Sequence, residues 1–214
     1  MGLALLGTPS GARAQQGPQA QQGPRGAPGP QGARAPVSTD PAAAPAGTYK
    51  LDANHASVIL RIKHEGTSYS TFRFNTIAGV LNWDPAHMEA SKLNVTVDPK
   101  SLVTPVAGFA DNLTGPNYLN AAQFAQATLV STGIRRTGPT TGVITGDLTL
   151  LGQTKPITIN AELVGVRTNM RGAPTFGFAG VTKFKRSDFG LTTLIPSVGD
   201  EVELTIDVEF NRQS

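Results

Sequence analysis

The residues of this sequence that could carry acid–base or metal chemistry are few and widely spaced. There are three histidines, His55, His64 and His87. None belongs to a paired-histidine pattern with a nearby carboxylate, as zinc sites of the HExxH type require. We therefore interpret the histidines as hydrogen-bonded structural or surface groups and predict no metal site. In the alternative interpretation, His64 ends the inward face of its strand and makes a polar contact with a ligand.

The motifs of nucleophilic and nucleotide-dependent enzymes are also absent from the sequence. It contains no G-x-S-x-G elbow, no P-loop and no GxGxxG. Asp111 has no partner that spacing identifies, and residues 186–190 resemble a polar turn in which Asp188 caps the turn and Arg186 pairs with a carboxylate. The chain has no cysteine, which excludes disulfides and thiolate chemistry. We predict a protein that is not an enzyme and has no cofactor.

The distribution of charge argues against a nucleic-acid-binding protein. The formal net charge is +3, and three arginines and one aspartate in residues 1–46 account for +2 of it. Residues 47–214 are therefore nearly neutral. Their lysines and arginines do not cluster beside aromatic residues, as a nucleic-acid surface would require.

Composition divides the chain into three segments. Residues 1–14 contain a Leu-rich run followed by Ala12-Arg13-Ala14, which is typical of the end of a signal peptide, so we expect a periplasmic or secreted protein. Residues 15–46 are rich in Pro, Gln, Gly and Ala and predict a disordered linker. Residues 47–214 hold every aromatic residue and form the predicted domain. No run reaches the roughly 18–20 apolar residues of a membrane span.

From residue 48 onward, apolar and polar residues alternate with the period of two that is typical of strands. The clearest case is 202–210, where every second residue is apolar. Turn residues such as Asp84-Pro85 and Gly152-Gln153 separate about eight such segments, which favours antiparallel pairing. The predicted fold class is all-β, an eight-stranded antiparallel β-barrel. One or two short helical turns are expected in the connection 100–127, around 106–113 and 117–122.

Seven short blocks of sequence stand in order over residues 48–210. They read YKLDANHAS (49–57), IKH (62–64), GVL (79–81), DPKSLVT (98–104), GDLTLLGQTKPI (146–157), RSDFGL (186–191) and VGDEV (198–202). Together they are specific, and the series resembles the YceI-like proteins. The resemblance implies an exported bacterial protein whose lipocalin-like barrel holds a polyisoprenoid, such as an isoprenoid quinone, in an elongated apolar pore. It implies no shared enzymatic activity.

Our main hypothesis is therefore that the domain binds, stores or carries a long isoprenoid lipid in the cell envelope. Strand parity predicts which inward side chains would line the pore. These are Leu60, Ile62, Phe72, Phe74, Leu93, Val95, Leu148, Leu150, Ile157, Ile159, Phe176 and Phe178. Leu113, Tyr118 and Leu119 would form a lid, and Asn112 and Tyr118 would contact the head group.

Two other hypotheses stay open at this point. In the first, the phenylalanines fill the core and the domain is a structural or interaction module of the envelope without a lipid. In the second, the domain is a hydrolase or isomerase acting on a bound lipid, although no nucleophile–base pair can be assigned. A continuous internal channel would favour the carrier over the filled module. Edge pairing between barrels leaves a homodimer open.

Overall fold

A computed structural model describes residues 36–213 of the chain. The signal peptide and most of the linker expected in residues 1–35 lie outside the described residues. Ten strands make up most of the described chain. They are β1 Gly47–His64, β2 Ser68–Phe74, β3 Ile77–Trp83, β4 Lys92–Val97, β5 Leu102–Val103, β6 Ala127–Arg136, β7 Thr141–Leu150, β8 Gln153–Thr168, β9 Pro174–Lys185 and β10 Val198–Arg212.

The strands close into a barrel in which every pairing is antiparallel. The order is β10-β9-β8-β7-β6-β4-β3-β1, and β1 pairs back onto β10. These eight strands confirm the predicted eight-stranded antiparallel barrel. Closure matters because it leaves no long unpaired edge among them.

The two further strands arise because two barrel strands are interrupted. β3 pairs with the start of β1 and β2 pairs with its end, so β2 and β3 together run along β1. The 3-10 turn Pro99–Ser101 likewise separates β4 from β5. Backbone hydrogen bonds from Asn75 to Ser101 (3.2 Å) and from Asp98 to Thr76 (3.0 Å) join the two breaks.

A bulge in β1 changes which side chains face inward. Leu51 pairs with Phe210 and Ala56 pairs with Val208 on β10, so residues 52–55 stand opposite Glu209 alone. Odd-numbered residues face inward before the bulge and even-numbered residues face inward after it. His55 lies within this bulge.

Five aromatic side chains fill one end of the barrel interior, and we call them the aromatic cluster: Tyr49, Trp83, Phe176, Phe178 and Phe210. Phe176 lies at its centre, with ring centroids 4.5 Å from Tyr49, 5.4 Å from Trp83 and 5.0 Å from Phe178. The Tyr49 hydroxyl donates a hydrogen bond of 2.7 Å to the carbonyl oxygen of Pro45. The cluster therefore joins the barrel to the residues that precede β1.

Residues 36–46 differ from the sequence analysis, which assigned them to a disordered linker. Ser38 and Val166 exchange two backbone hydrogen bonds of 2.9 and 2.7 Å. Asp40 caps the 3-10 turn Pro41–Ala43, and Pro41 and Ala44 are buried. The low aromatic content of this segment was misleading, because the segment packs against apolar surface that the barrel supplies.

The connection between β5 and β6 contains the helix α1, Phe109–Thr114. This agrees with the first of the two expected helical turns. Residues 117–122 instead form hydrogen-bonded turns, among them one from the Leu119 N–H to the Leu113 carbonyl. Within the described chain, no helix is long and apolar enough to cross a membrane.

The polar turn 186–190 is structural, with partners that differ from those expected. The Arg186 guanidinium is buried and donates to the carbonyl oxygens of Gly199 (2.8 Å), Val198 (2.9 Å) and Leu191 (3.0 Å), not to a carboxylate. Asp200 accepts from the backbone N–H and hydroxyl of Ser187. Burial would raise the pKa of Asp200, but these hydrogen bonds bring it below the usual range.

The packing of residues 36–46 predicts a loss of stability when they are removed. We expect a chain that begins at Gly47 to have a free energy of unfolding about 2 kcal/mol lower than a chain that begins at Pro36. The loss combines the burial of Pro41 and Ala44 with the missing acceptor for the Tyr49 hydroxyl. Urea unfolding of the two chains measures it, and equal midpoints would contradict the packing described above.

Strand register predicts opposite effects for two neighbouring substitutions on β2. Phe74 packs against the core, whereas Arg73 is exposed. Phe74→Asp would bury an unpaired carboxylate and is expected to destabilise the fold by several kcal/mol. Arg73→Asp should cost about 1 kcal/mol or less, because its one hydrogen bond to the Ala56 carbonyl is long, at 3.3 Å. Thermal unfolding of the two variants measures the difference. A larger loss of stability for Arg73→Asp would show that the inward and outward faces of β2 are assigned the wrong way round.

Candidate functional site

The barrel encloses a cavity of about 170 Å³. Its wall is almost wholly apolar and receives residues from β1, β3, β4 and β6–β10. Wall residues on β6 run from Ala127 to Arg136, about 30 Å along the strand. With the usual tilt of barrel strands, that is roughly 20 Å along the barrel axis. The cavity is therefore long and slender.

Six of the twelve predicted lining residues lie on the cavity wall: Leu93, Val95, Leu148, Ile157, Ile159 and Phe178. The other six do not. Phe176 is enclosed within the aromatic cluster, and Leu150 ends β7 beyond the wall. Leu60, Ile62, Phe72 and Phe74 share the inward parity of Val58, but they belong to the paired ends of β1 and β2. The Phe72 ring lies 6.1 Å from that of Phe109 on α1, a side chain that is 37% exposed.

The four predicted lid and head-group residues do not reach the cavity wall. Asn112 and Leu113 belong to α1, and Tyr118 and Leu119 follow it. Tyr118 instead lines a separate surface groove with Phe189 and Leu191. The Asn117 carbonyl accepts a hydrogen bond of 2.7 Å from the Thr193 hydroxyl, which holds this connection against the loop before β10.

The sequence analysis predicted no wall residue on β3, β6 or β10 or in the segment before β1, and it omitted Leu51 on β1. The omitted wall residues include Pro41, Leu51, Ile77, Leu81, Trp83, Leu129, Ile134, Ile206, Val208 and Phe210. The alternation in β10 was visible in the sequence and could have placed its residues on the wall. Leu51 and Pro41 had no such signal, because the bulge reverses parity and Pro41 precedes the strands.

The few polar groups of the wall lie mostly at the end of the cavity that holds Trp83. Arg136 ends β6 there, Thr140 lies in the turn that follows, and Thr141 begins β7. The Arg136 guanidinium donates to the carbonyl oxygens of Gly138 (2.8 Å) and Pro139 (2.7 Å). Trp83 is 6% exposed, and its indole Nε1 is buried without a hydrogen-bond partner.

A second group of polar side chains lies on the outer face of the barrel, at the β1 bulge. Asp52, His55 and Glu209 bring one ligand atom each within 4.8 Å of the others. His55 Nδ1 is 3.1 Å from Asp52 Oδ2, and Asn211 donates to the same oxygen at 3.2 Å. Imidazole and carboxylate groups of this kind can hold a divalent cation such as Zn²⁺. Spacing along the chain could not reveal the group, because Glu209 reaches it only through the pairing of β1 with β10.

The contact between His55 and Asp52 changes the titration of both groups. The hydrogen bond from His55, against some opposing burial, lowers the pKa of Asp52. The same hydrogen bond, with the nearby charge of Glu209, raises the pKa of His55. The pair is therefore an ion pair at mildly acidic pH.

Residues 49–210 match the model of the YceI-like domain. The chain belongs to the YceI-like family. A UPF0312 protein of Shewanella baltica is similar to it, at 39% identity over 175 residues, covering 81% of this chain and 92% of the relative. A UPF0312 protein of Vibrio cholerae is 37% identical over 175 residues, covering 81% of this chain and 93% of the relative.

Several solved structures share the barrel fold. The Campylobacter jejuni YceI protein is 30% identical, covers 72% of this chain and 91% of its own, and superposes with a TM-score of 0.64. BcnA of Burkholderia cenocepacia is 24% identical, with a TM-score of 0.67 over 74% of this chain and 98% of its own. A domain from Saccharophagus degradans described as polyisoprenoid binding is 14% identical, with a TM-score of 0.60 over 77% of this chain and 98% of its own. The last two show a common fold.

The Asp52–His55 pair predicts a pH-dependent contribution to stability. The raised pKa of His55 stabilises the fold below the unfolded-state value of about 6.5, and this is lost as pH rises through the folded-state pKa. The lowered pKa of Asp52 stabilises the fold above the unfolded-state value of about 3.9, and this is lost as pH falls. Asp52→Asn keeps the acceptor for the Asn54 N–H but removes the charge. We expect it to lower the melting temperature more at pH 5.5 than at pH 8.5.

Melting curves of the two proteins at both pH values measure this difference. The effect should be small, because the His55 side chain is exposed. An equal effect of the substitution at both pH values would contradict the ion pair.

Proposed function

We propose that this protein binds and carries a long isoprenoid lipid in the barrel cavity. The observation that supports the proposal is the cavity itself, which is slender, almost wholly apolar and about 170 Å³ in volume. Cavities lined in this way stay dry and take up apolar molecules. A linear chain fits such a shape, whereas a broad, compact ligand does not.

The energy of binding comes from burial of the chain. Each Å² of apolar surface removed from water contributes about 25 cal/mol, which must exceed the costs of association and ordering. The long wall supplies contacts along the whole chain without a charged partner in its middle. The description of the Saccharophagus degradans domain, which shares the fold, as polyisoprenoid binding supports an isoprenoid over other chains.

The wall also favours binding over a chemical reaction. Among the described residues that form it, the polar side chains are the threonines, Arg136 and the Trp83 indole. A hydrolase or isomerase would need a nucleophile or an acid–base pair next to the ligand. The composition of the wall supports a carrier or storage protein.

A filled structural module is the second candidate, and the aromatic cluster favours it, because these rings occupy one end of the interior. The cavity beside the cluster favours the carrier. We further propose that the protein works in the cell envelope, on the signal-peptide pattern of residues 1–14, and the homodimer stays a prediction.

The decisive measurement is the lipid content of the purified protein. We expect organic extraction and mass spectrometry of the wild-type chain to yield a prenyl lipid, or the delipidated chain to take up an added prenyl quinone. A protein that contains no lipid and takes up none would overturn the proposal in favour of the filled module.

A substitution that fills the cavity provides a matched test. Ala161 lies on the wall, whereas its neighbour Asn160 is exposed on the other face of β8. Ala161→Leu should lower lipid content about ten-fold and leave the melting temperature unchanged or higher, because the new side chain occupies existing space. Asn160→Leu adds the same side chain outside the barrel and should retain the lipid. Equal lipid content in the two variants would show that the lipid lies elsewhere.

A further inference from the structure

The cavity comes nearest to solvent at the end where β6 turns into β7. Among the described residues of its wall, the exposed ones are Arg136 and Thr141, on either side of that turn. At the opposite end, the wall residues Val97 and Leu148 are partly buried. A ligand in the cavity therefore has its shortest path to solvent at the Arg136 end.

Residues 36–46, which we call the strap, contribute to the wall at this end. Pro41 is buried and belongs to the cavity wall, whereas its neighbours Ala42 and Ala43 are exposed. Every other described wall residue belongs to a barrel strand or to a connection between two barrel strands. The strap is thus the part of the wall that could move without disturbing the sheet.

The strap is attached to the barrel at its two ends. Ser38 exchanges two backbone hydrogen bonds with Val166, of 2.9 and 2.7 Å, in an isolated bridge. Near β1, the side chains of Tyr49 and Arg212 donate to strap carbonyls at 2.7 and 3.0 Å. Among the described residues, the stretch between these attachments hydrogen-bonds only within the strap. Once the Ser38 bridge breaks, Pro41 is held in the wall by apolar contacts alone.

Gly47 provides a hinge where the strap joins β1. Its φ is 149°, a conformation that residues with a side chain rarely adopt, and a Cβ there would lie 3.0 Å from Arg212 Nε. Glycine populates a wide range of backbone conformations. The strap can therefore rotate about this residue at little cost.

The opposite end of the barrel is more firmly held. The buried Arg186 guanidinium donates to three backbone carbonyl oxygens there, and the Thr193 hydroxyl donates to the Asn117 carbonyl at 2.7 Å. Hydrogen bonds of a buried charged group are costly to break. Opening the barrel at the strap thus disrupts fewer strong interactions than opening it at the other end.

We propose that the strap is a gate for the ligand. The ligand enters and leaves at the Arg136 end when the Ser38–Val166 bridge breaks and Pro41 moves out of the wall, and the strap then closes over the bound ligand. The gate sets the rates of uptake and release and leaves the affinity unchanged. This inference rests on the proposed function, because it takes the cavity as the binding site.

A disulfide between the strap and β8 would lock the gate. A Cβ at Gly165 would lie 4.0 Å from the Cβ of Val37, which is within the range of disulfide bonds. The chain has no cysteine of its own to compete. The double variant Val37→Cys/Gly165→Cys is locked when oxidised and free when reduced, so the reduced form is the matched control.

The probe is geranylgeraniol, a prenyl alcohol that does not react with thiols. The delipidated full chain is loaded with it and mixed with an excess of the deuterated alcohol, and mass spectrometry of the protein-bound fraction over time gives the exchange rate. We expect exchange to be slower by about ten-fold or more in the oxidised form, because the disulfide holds Pro41 in the wall. The amount bound at equilibrium should be the same in both forms.

A substitution that weakens the bridge should have the opposite effect. Ser38→Pro removes the N–H that donates to the Val166 carbonyl, whereas Ser38→Ala keeps it and removes the hydroxyl that accepts from the Asp40 N–H. We expect Ser38→Pro to speed exchange about five-fold, which is the range for one neutral hydrogen bond. Ser38→Ala should stay close to the wild type.

The outcomes separate the gate from the proposed function. If the wild-type chain takes up neither geranylgeraniol nor a prenyl quinone, the proposed function fails and the gate fails with it. If the oxidised and reduced forms exchange the ligand at the same rate, the carrier function stands and the gate is overturned, because the ligand then passes through another part of the barrel. A smaller amount bound by the oxidised form at an unchanged rate would also overturn the gate, since the strap would then act on affinity.

Discussion

The pairing of β1 with β10 is the constraint on which the rest of the structure depends. It joins residues about 150 positions apart and converts an open sheet into a closed barrel. Without it, the apolar faces of β1 and β10 would lose their place around a common interior. The same pairing contains the bulge at residues 52–55, where its register shifts, and it brings Glu209 close to Asp52 and His55. The barrel wall and the polar group on its outer face thus have a single origin.

Side-chain size divides the interior into a packed part and a hollow part. The aromatic cluster fills space with large rings. Beyond it, aliphatic residues and small ones such as Ala161 and Gly180 leave a gap. A Cβ at Gly180 would come within 3.1 Å of Ile159, so even a methyl group would crowd the wall there. The gap thus depends on small side chains at particular positions as well as on barrel closure.

The fold and about half of the predicted lining could be read from the sequence, and the reason is strand parity. Leu93, Val95, Ile157 and Ile159 lie on regular strands, where every second residue faces inward. Strand parity shows whether a side chain faces inward, but it does not show the side chain's position along the barrel axis. Leu60 and Phe72 therefore face inward and still lie off the cavity wall.

The remaining errors come from contacts between distant parts of the chain. Residues 36–46 resemble a linker by composition, and only the surface of β8 and the Tyr49 hydroxyl explain their order. The bulge in β1 leaves no mark in the local pattern of apolar residues. The orphan donor of Trp83 cannot be seen in a sequence, because a missing partner is a property of the whole neighbourhood.

The cavity also makes volume relevant to the stability of the fold. A void of about 170 Å³ per molecule amounts to roughly 100 mL/mol, and the volume change of unfolding scales with the void volume that unfolding removes. Hydrostatic pressure should therefore unfold the empty barrel much more readily than the same barrel filled by a ligand. The cavity that can bind a ligand also makes the ligand-free barrel more compressible, and a bound ligand lowers that compressibility.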